Sequence, residues 1–143
     1  MKKILFFTLI ILLSNSCSLK LKNLPIPDGS YKIGTDTFIF EDKSRLEWFT
    51  EDNENDFRRI AVQMWYPASE ISDSLHPYID NDIKLKYIAE QLDVSQKIVK
   101  GLSNIKTNSY YKSPIQNNEF PVIIFSHGLG GTKIQNSINI ENL

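Results

Sequence analysis

The feature of this 143-residue chain that most constrains its fold is a short apolar run that leads directly into a cluster of glycines. Residues 122–125 read Val-Ile-Ile-Phe, and residues 127–131 read His-Gly-Leu-Gly-Gly. An unbroken apolar run of this length is typical of a strand that is buried on both faces of a parallel sheet. A helical pattern follows, with Ile134, Ile138 and Leu143 on one side. The sequence therefore predicts a buried strand, a glycine loop and the start of a helix.

The glycine loop has a chemical interpretation. Enzymes that transfer acyl groups stabilise an oxyanion with preorganised backbone N–H donors. Glycines let the backbone turn sharply and approach a substrate closely. We expect the N–H of Leu129 to be such a donor, with His127 organising the loop by hydrogen bonding and Gly128 and Gly130 supporting it.

Two other interpretations of the same residues remain open. One is a glycine-rich turn without chemistry. The other is a nucleotide-phosphate loop, which is disfavoured because the spacing is not Gly-x-Gly-x-x-Gly and no Gly-Lys-Ser or Gly-Lys-Thr follows.

The N-terminus has the pattern of an export signal. Two lysines precede about ten apolar residues at positions 4–13, half of the roughly 20 that are needed to span a bilayer. Small residues and Cys17, the only cysteine of the chain, come next. We expect residues 1–16 to be a signal peptide of the bacterial lipoprotein type, with Cys17 acylated as a membrane anchor. The alternative is ordinary secretion with a free thiol.

The remaining chain divides into a tether at residues 17–28 and one domain at residues 29–143. Short aromatic and β-branched runs predict elements before the glycine loop. The expected elements are a β-hairpin from strands 37–41 and 46–50, a strand at 60–66, and a helical segment at 83–102 that Asp93-Val94-Ser95 divides into two.

Composition excludes several classes of function. Sixteen Lys and Arg residues against seventeen Asp and Glu residues give a net charge of −1, which argues against a nucleic-acid partner. A single cysteine excludes a disulfide framework. The two histidines, His76 and His127, are far apart in the sequence, so no metal centre is expected. We expect His76 to be exposed in a polar loop.

Two segments together carry a family resemblance: residues 59–67, Arg-Ile-Ala-Val-Gln-Met-Trp-Tyr-Pro, and residues 120–131, which contain Phe-Ser-His-Gly-Leu-Gly. They resemble the α/β-hydrolases related to the plasma and intracellular type II platelet-activating factor acetylhydrolases. The resemblance implies an α/β fold, the N-terminal portion of an α/β-hydrolase. It also implies a serine esterase without a cofactor that acts on lipid or small esters. By this analogy the Leu129 N–H is one donor of the oxyanion hole.

The chain departs from this family in one respect. It contains no Gly-x-Ser-x-Gly, the motif that holds the nucleophile of these enzymes. The resemblance implies that the Ser, Asp and His of the triad come after residue 143, so we expect a truncated and inactive fragment of an esterase. Ser126 next to His127 does not replace the triad, because neighbours in a strand point to opposite faces. The alternative is an inactive surface lipoprotein that acts as a binding or scaffold module.

Overall fold

The computed structural model describes residues 23–50 and 53–143. The predicted signal peptide, Cys17 and residues 17–22 of the tether lie outside these ranges. The strands are β1 (Lys32–Leu46), β2 (Phe57–Ala68), β3 (Leu75–Pro77) and β4 (Lys106–Tyr111). The helices are α1 (Asp82–Gln91), α2 (Gln96–Val99) and α3 (Ser137–Glu141), and 3-10 turns occupy Trp48–Thr50 and Lys100–Asn104. None of the helices in the described residues is long and apolar enough to cross a membrane.

The four strands form one mixed sheet in the order β2-β1-β4-β3. β1 is antiparallel to β2 and pairs in parallel with β4 through a short stretch that begins at Ile33 and Ser109. β3 lies antiparallel to β4 on its other side. A mixed sheet with a few helices is compatible with the predicted α/β class.

The predicted hairpin of residues 37–50 is wrong, because β1 continues through the expected turn and its antiparallel partner is β2. The polar residues that suggested the turn cause an irregularity of register between Asp42 and Leu46. The Asp42 carboxylate accepts hydrogen bonds from the Ser44 backbone at 3.0 Å and from the Arg45 side chain at 2.6 Å. Residues that favour turns have here formed a β-bulge within a long strand. The strand predicted at 60–66 is confirmed as the central part of β2.

The predicted division of the helical segment is confirmed. Asn81 caps α1 by accepting a hydrogen bond from the Lys84 backbone N–H at 2.9 Å. After α1 the backbone of Asp93 has a positive φ of 52°, which no helix can continue, and α2 begins after Ser95. One cluster of buried apolar residues contains Leu85 and Ala89 of α1 and Val99 of α2, together with Ile79 and Ile134.

The predicted buried strand at residues 122–125 is wrong. These residues have no regular structure, and Val122 and Ile124 are 87% and 90% exposed. A strand that is buried on both faces needs hydrogen-bonded neighbours on both sides. Within residues 23–50 and 53–143, no strand pairs with this run.

The helix predicted after Lys133 exists, but its buried face differs from the expected one. Ile134 precedes α3 and is buried, whereas Ile138 and Leu143 are exposed. The buried side chains of α3 are the polar residues Ser137 and Glu141. A polar buried face breaks the periodicity by which sequence patterns locate a helix surface.

Candidate oxyanion loop and its surroundings

The glycine cluster forms a tight turn. The Gly131 N–H donates a hydrogen bond of 2.9 Å to the Gly128 carbonyl, and Gly130 has a φ of +75°. A positive φ at the third position is typical of a type II turn and favours glycine. Gly131 is also required by space, since a Cβ there would lie 3.0 Å from the Gly128 oxygen and 3.1 Å from the His127 Cβ. Glycine is therefore favoured at two positions of this turn, 130 and 131.

Leu129 occupies the second position of the turn, and its side chain is fully exposed. The hydrogen bond that closes the turn uses the N–H of Gly131, so the N–H of Leu129 lies outside it. Among the described residues we find no acceptor for the Leu129 N–H. This backbone group can therefore donate to an oxygen of another molecule. Its role in an oxyanion hole remains a prediction.

His127 lies against the turn. Its Nδ1 is 3.0 Å from the Gly128 carbonyl oxygen, which can only accept, so this nitrogen is the donor. The role of His127 in organising the loop remains a prediction. Ser126 was expected at the end of a buried strand, but it is exposed together with residues 121–130.

The residues that follow the turn are attached to the sheet and to the helices. Lys133 donates a hydrogen bond from Nζ to the Thr37 hydroxyl of β1 at 2.9 Å. Ile134 is 4% exposed and packs in the helical core. The Tyr87 hydroxyl of α1 donates to the Gly130 carbonyl at 3.3 Å. The C-terminal side of the loop is thus held by contacts with β1 and α1.

A buried carboxylate makes a further attachment at the end of α3. Glu141 is 5% exposed and accepts hydrogen bonds of 3.0 Å from both the backbone N–H and the side-chain amide of Asn108 in β4. The Ser109 hydroxyl also donates to it. Buried carboxylates are stable only when their oxygens are well hydrogen-bonded, and these three donors from β4 meet that need.

A group of three charges lies beside the attachment of Lys133. Asp80 and Lys84 form an ion pair of 2.5 Å. Partial burial acts to raise the pKa of Asp80, but the hydrogen bond and charge of Lys84 outweigh it, and the pKa lies below its ordinary value. Partial burial and the ammonium group of Lys84 lower the pKa of Lys133. The Asp80 carboxylate is thus paired with Lys84, while the ammonium group of Lys133 donates to Thr37.

The predicted exposure of His76 is wrong, because this residue is only 5% exposed. Burial lowers the pKa of its imidazole and so favours the neutral form. Its carbonyl accepts a hydrogen bond of 2.8 Å from the Thr107 hydroxyl, while its Nδ1 is buried and has no partner among the described residues. No signal in the polar sequence around His76 predicts this burial, because the residues that cover it are distant in sequence.

The site thus supplies one available backbone donor on an exposed turn. The attached residues behind it were missed by sequence reasoning because their partners lie 32 to 96 positions away. Within the part of the chain that the structure describes, no three His, Cys, Asp or Glu residues lie together as a metal site would require.

The model of one protein family, described as platelet-activating factor acetylhydrolase, isoform II, matches residues 16–141. The match includes the glycine loop, β1 to β4 and the whole of α3. No curated protein matches the chain, and no solved structure does.

Proposed function

The chain belongs to the family of platelet-activating factor acetylhydrolases, isoform II, and from this membership we propose that its residues form part of a serine esterase with the α/β-hydrolase fold. The proposed substrates are short acyl esters of phospholipids or of similar lipids. The observation that supports a catalytic use of this region is the Leu129 N–H, which lies on an exposed turn outside the hydrogen bond that closes it.

In the proposed reaction a serine hydroxyl attacks the ester carbonyl and a histidine takes the proton. The carbonyl oxygen becomes an oxyanion and accepts hydrogen bonds from Leu129 and from the residue after the nucleophile. When the tetrahedral intermediate collapses, the alcohol leaves with a proton from the histidine, and water later releases the acyl group. Residues 1–143 hold no Gly-x-Ser-x-Gly. We therefore propose that the triad lies outside residues 1–143.

The substitution Leu129→Pro tests the proposed donor. Proline removes the N–H but suits the second position of a type II turn, so the turn can persist. In a form of the protein that carries the nucleophile motif, we expect kcat on a short-chain p-nitrophenyl ester to fall about 10²–10³-fold, as for other oxyanion donors. The matched control Leu129→Ala keeps the N–H and should retain most of the activity. Equal losses in both variants would contradict the assignment.

Residues 1–143 alone should have no esterase activity that depends on a triad, since acyl transfer needs an activated hydroxyl beside a base. The same ester assay on this chain, with Ser126→Ala as control, checks this expectation. Turnover above background that disappears in the control would show that Ser126 is a nucleophile and that the proposal is wrong. If a form with the nucleophile motif also fails to hydrolyse esters, the binding or scaffold module is favoured.

We also propose that the protein is exported and anchored in a membrane through an acylated Cys17. The support is the sequence order of lysines, apolar run and cysteine. Several acyl chains anchor a protein firmly, whereas a single chain gives marginal binding. Mass spectrometry of the mature N-terminus should show a lipid-modified Cys17, and an intact Met1 or a free thiol would refute the proposal.

A further inference from the structure

We propose that one face of the ribbon of β1 and β2 is the surface with which the protein lies on a lipid bilayer. The choice of a bilayer as the partner rests on the proposed anchor at Cys17. The surface is called the apolar ribbon face, and its members are Phe38, Phe40, Ile60, Val62 and Met64.

The register of the strands places these side chains together. Even-numbered residues of β1 lie opposite even-numbered residues of both β2 and β4, with Phe38 opposite Val62 and Phe40 opposite Ile60. Because side chains alternate along a strand, all of these even-numbered side chains point to one face of the sheet. β4 pairs with β1 only at residues 33–35, so the apolar ribbon face lies where the ribbon extends beyond β4.

The apolar ribbon face is open to solvent. Phe38, Ile60 and Met64 are 41–42% exposed, and Phe40 is 51% exposed. The ring centroids of Phe38 and Phe40 lie 6.4 Å apart, so their exposed surfaces are adjacent. Adjacent exposed apolar side chains of this size mark a surface of contact with a membrane or another molecule.

The charges on the same face favour a partner without a strong charge of its own. The charged side chains here are Asp36, Asp42 and Arg58. The carboxylate of Asp42 is paired with Arg45 at 2.6 Å, so charges of the two signs nearly cancel. Strongly charged partners are recognised by a complementary charge, which this face lacks. Zwitterionic lipid headgroups with an apolar interior beneath them fit it better.

The N-terminal segment is held from the same side of the sheet. Asn108 of β4 is one of the even-numbered residues, and its side-chain amide donates a hydrogen bond of 2.7 Å to the Pro25 carbonyl. The backbone N–H of Asp28 donates to the side chain of Asn142 at 3.0 Å. Residues 25–28, which the sequence predicts to be part of a free tether, are therefore attached to the domain.

This attachment limits where an anchored bilayer can lie. Eight residues lead from Cys17 to Pro25, and a fully extended chain of that length spans at most about 29 Å. β1 (Lys32–Leu46) is longer, at about 47 Å. A bilayer that holds Cys17 thus lies near Pro25, and the apolar ribbon face extends from that side of the sheet. The bond of Lys133 to Thr37 is made on the odd-numbered face and is left intact.

Quenching of tryptophan fluorescence by lipid tests this orientation. The Cys17 thiol of the full chain is coupled to a maleimide phospholipid in vesicles of phosphatidylcholine with brominated acyl chains. In a Trp48→Phe background, Phe40→Trp places a reporter on the apolar ribbon face. The matched control Ile39→Trp places it on the opposite face, one residue away. We expect the lipid to quench the added fluorescence of Phe40→Trp several-fold more strongly.

Equal quenching of the two reporters, or stronger quenching of Ile39→Trp, would overturn the proposal. If Phe40→Trp escapes quenching and the chain is a dimer in solution, the face binds a second copy and the proposal is equally wrong. Should either variant fail to fold, Ile60→Trp and Ala61→Trp on β2 provide the same comparison between the two faces.

The thiol is coupled chemically and no ester is hydrolysed in this experiment. Its outcome therefore depends neither on acylation of Cys17 in a cell nor on esterase activity. Failure of those two proposals is detected separately, by mass spectrometry of the N-terminus and by the ester assay.

Discussion

The two sides of the glycine turn differ in how they are held. Residues 121–126, on the N-terminal side, are all exposed and make no hydrogen bond with the rest of the described chain. On the C-terminal side, Lys133, Ile134 and Glu141 attach to β1, the helical core and β4. One turn is thus joined to a firmly attached segment and to an unattached one.

The difference is opposite to what hydrophobicity alone predicts. The exposed side carries Val122 and Ile124, while the buried side includes the polar Ser137 and Glu141. Burial of an apolar run requires a surface against which it can pack, and burial of a polar group requires donors or acceptors at the right positions. In this chain the described sheet offers partners to the polar residues and no strand partner to the apolar run.

The largest effect should come from truncating the apolar attachment. Ile134→Ala leaves a cavity among Ile79, Leu85 and Val99, and such changes cost about 2–5 kcal/mol of unfolding free energy. The matched control Ile124→Ala, on the exposed side, should change it by less than about 0.5 kcal/mol. Urea denaturation measures both. Equal losses would show that residues 121–126 are packed in solution.

A smaller effect is expected at the polar attachment. Glu141→Gln keeps the shape but replaces one accepting oxygen by an NH₂ group that faces donors from Asn108 and Ser109. Leaving a buried donor unsatisfied costs about 1–3 kcal/mol. The control Glu119→Gln changes an exposed carboxyl before the apolar run and should be neutral in the same denaturation experiment. If the unfolding free energy of Glu141→Gln equals that of the unmodified chain, Glu141 does not hold α3 against β4.

The smallest effect is expected where the turn itself meets α1. Tyr87→Phe removes the exposed hydrogen bond of 3.3 Å to Gly130, and a neutral bond of this kind contributes about 0.5–1.5 kcal/mol at most. We expect faster amide exchange at Gly131 and an almost unchanged urea midpoint. Tyr31→Phe, whose hydroxyl has no described partner, should alter neither quantity. Exchange that is equal in both variants would show that Tyr87 does not hold the turn.

Sequence reasoning located the parts of the fold that depend on local signals. The strand in β2 followed from β-branched and aromatic residues, and the division near Asp93 followed from residues that favour caps and turns. The glycine turn was located for the same reason, since Gly130 needs its positive φ whatever surrounds it.

The remaining elements depend on distant partners and could not be predicted locally. β4 reads Lys-Thr-Asn-Ser-Tyr-Tyr and lacks apolar alternation, because Ser109 faces Glu141 and Thr107 bonds to the His76 carbonyl. The turn expected at residues 42–44 became a bulge because β2 pairs on both sides of it. For the candidate site, the glycines were recognised, but the attachments through Lys133 and Glu141 carry no sequence motif.

The parallel pairing of β1 with β4 has a consequence for how the chain is made. The antiparallel ribbon of β1 and β2 can form as soon as residue 68 has left the ribosome, since all its contacts lie within about 40 residues. The pairing of Ile33 with Ser109 must wait for about 41 further residues to be made after residue 68, and Ile134 completes the core last. During synthesis, the ribbon therefore exists with one edge of β1 open, and a nascent chain in that state can pair with a neighbouring polypeptide before its own β4 arrives.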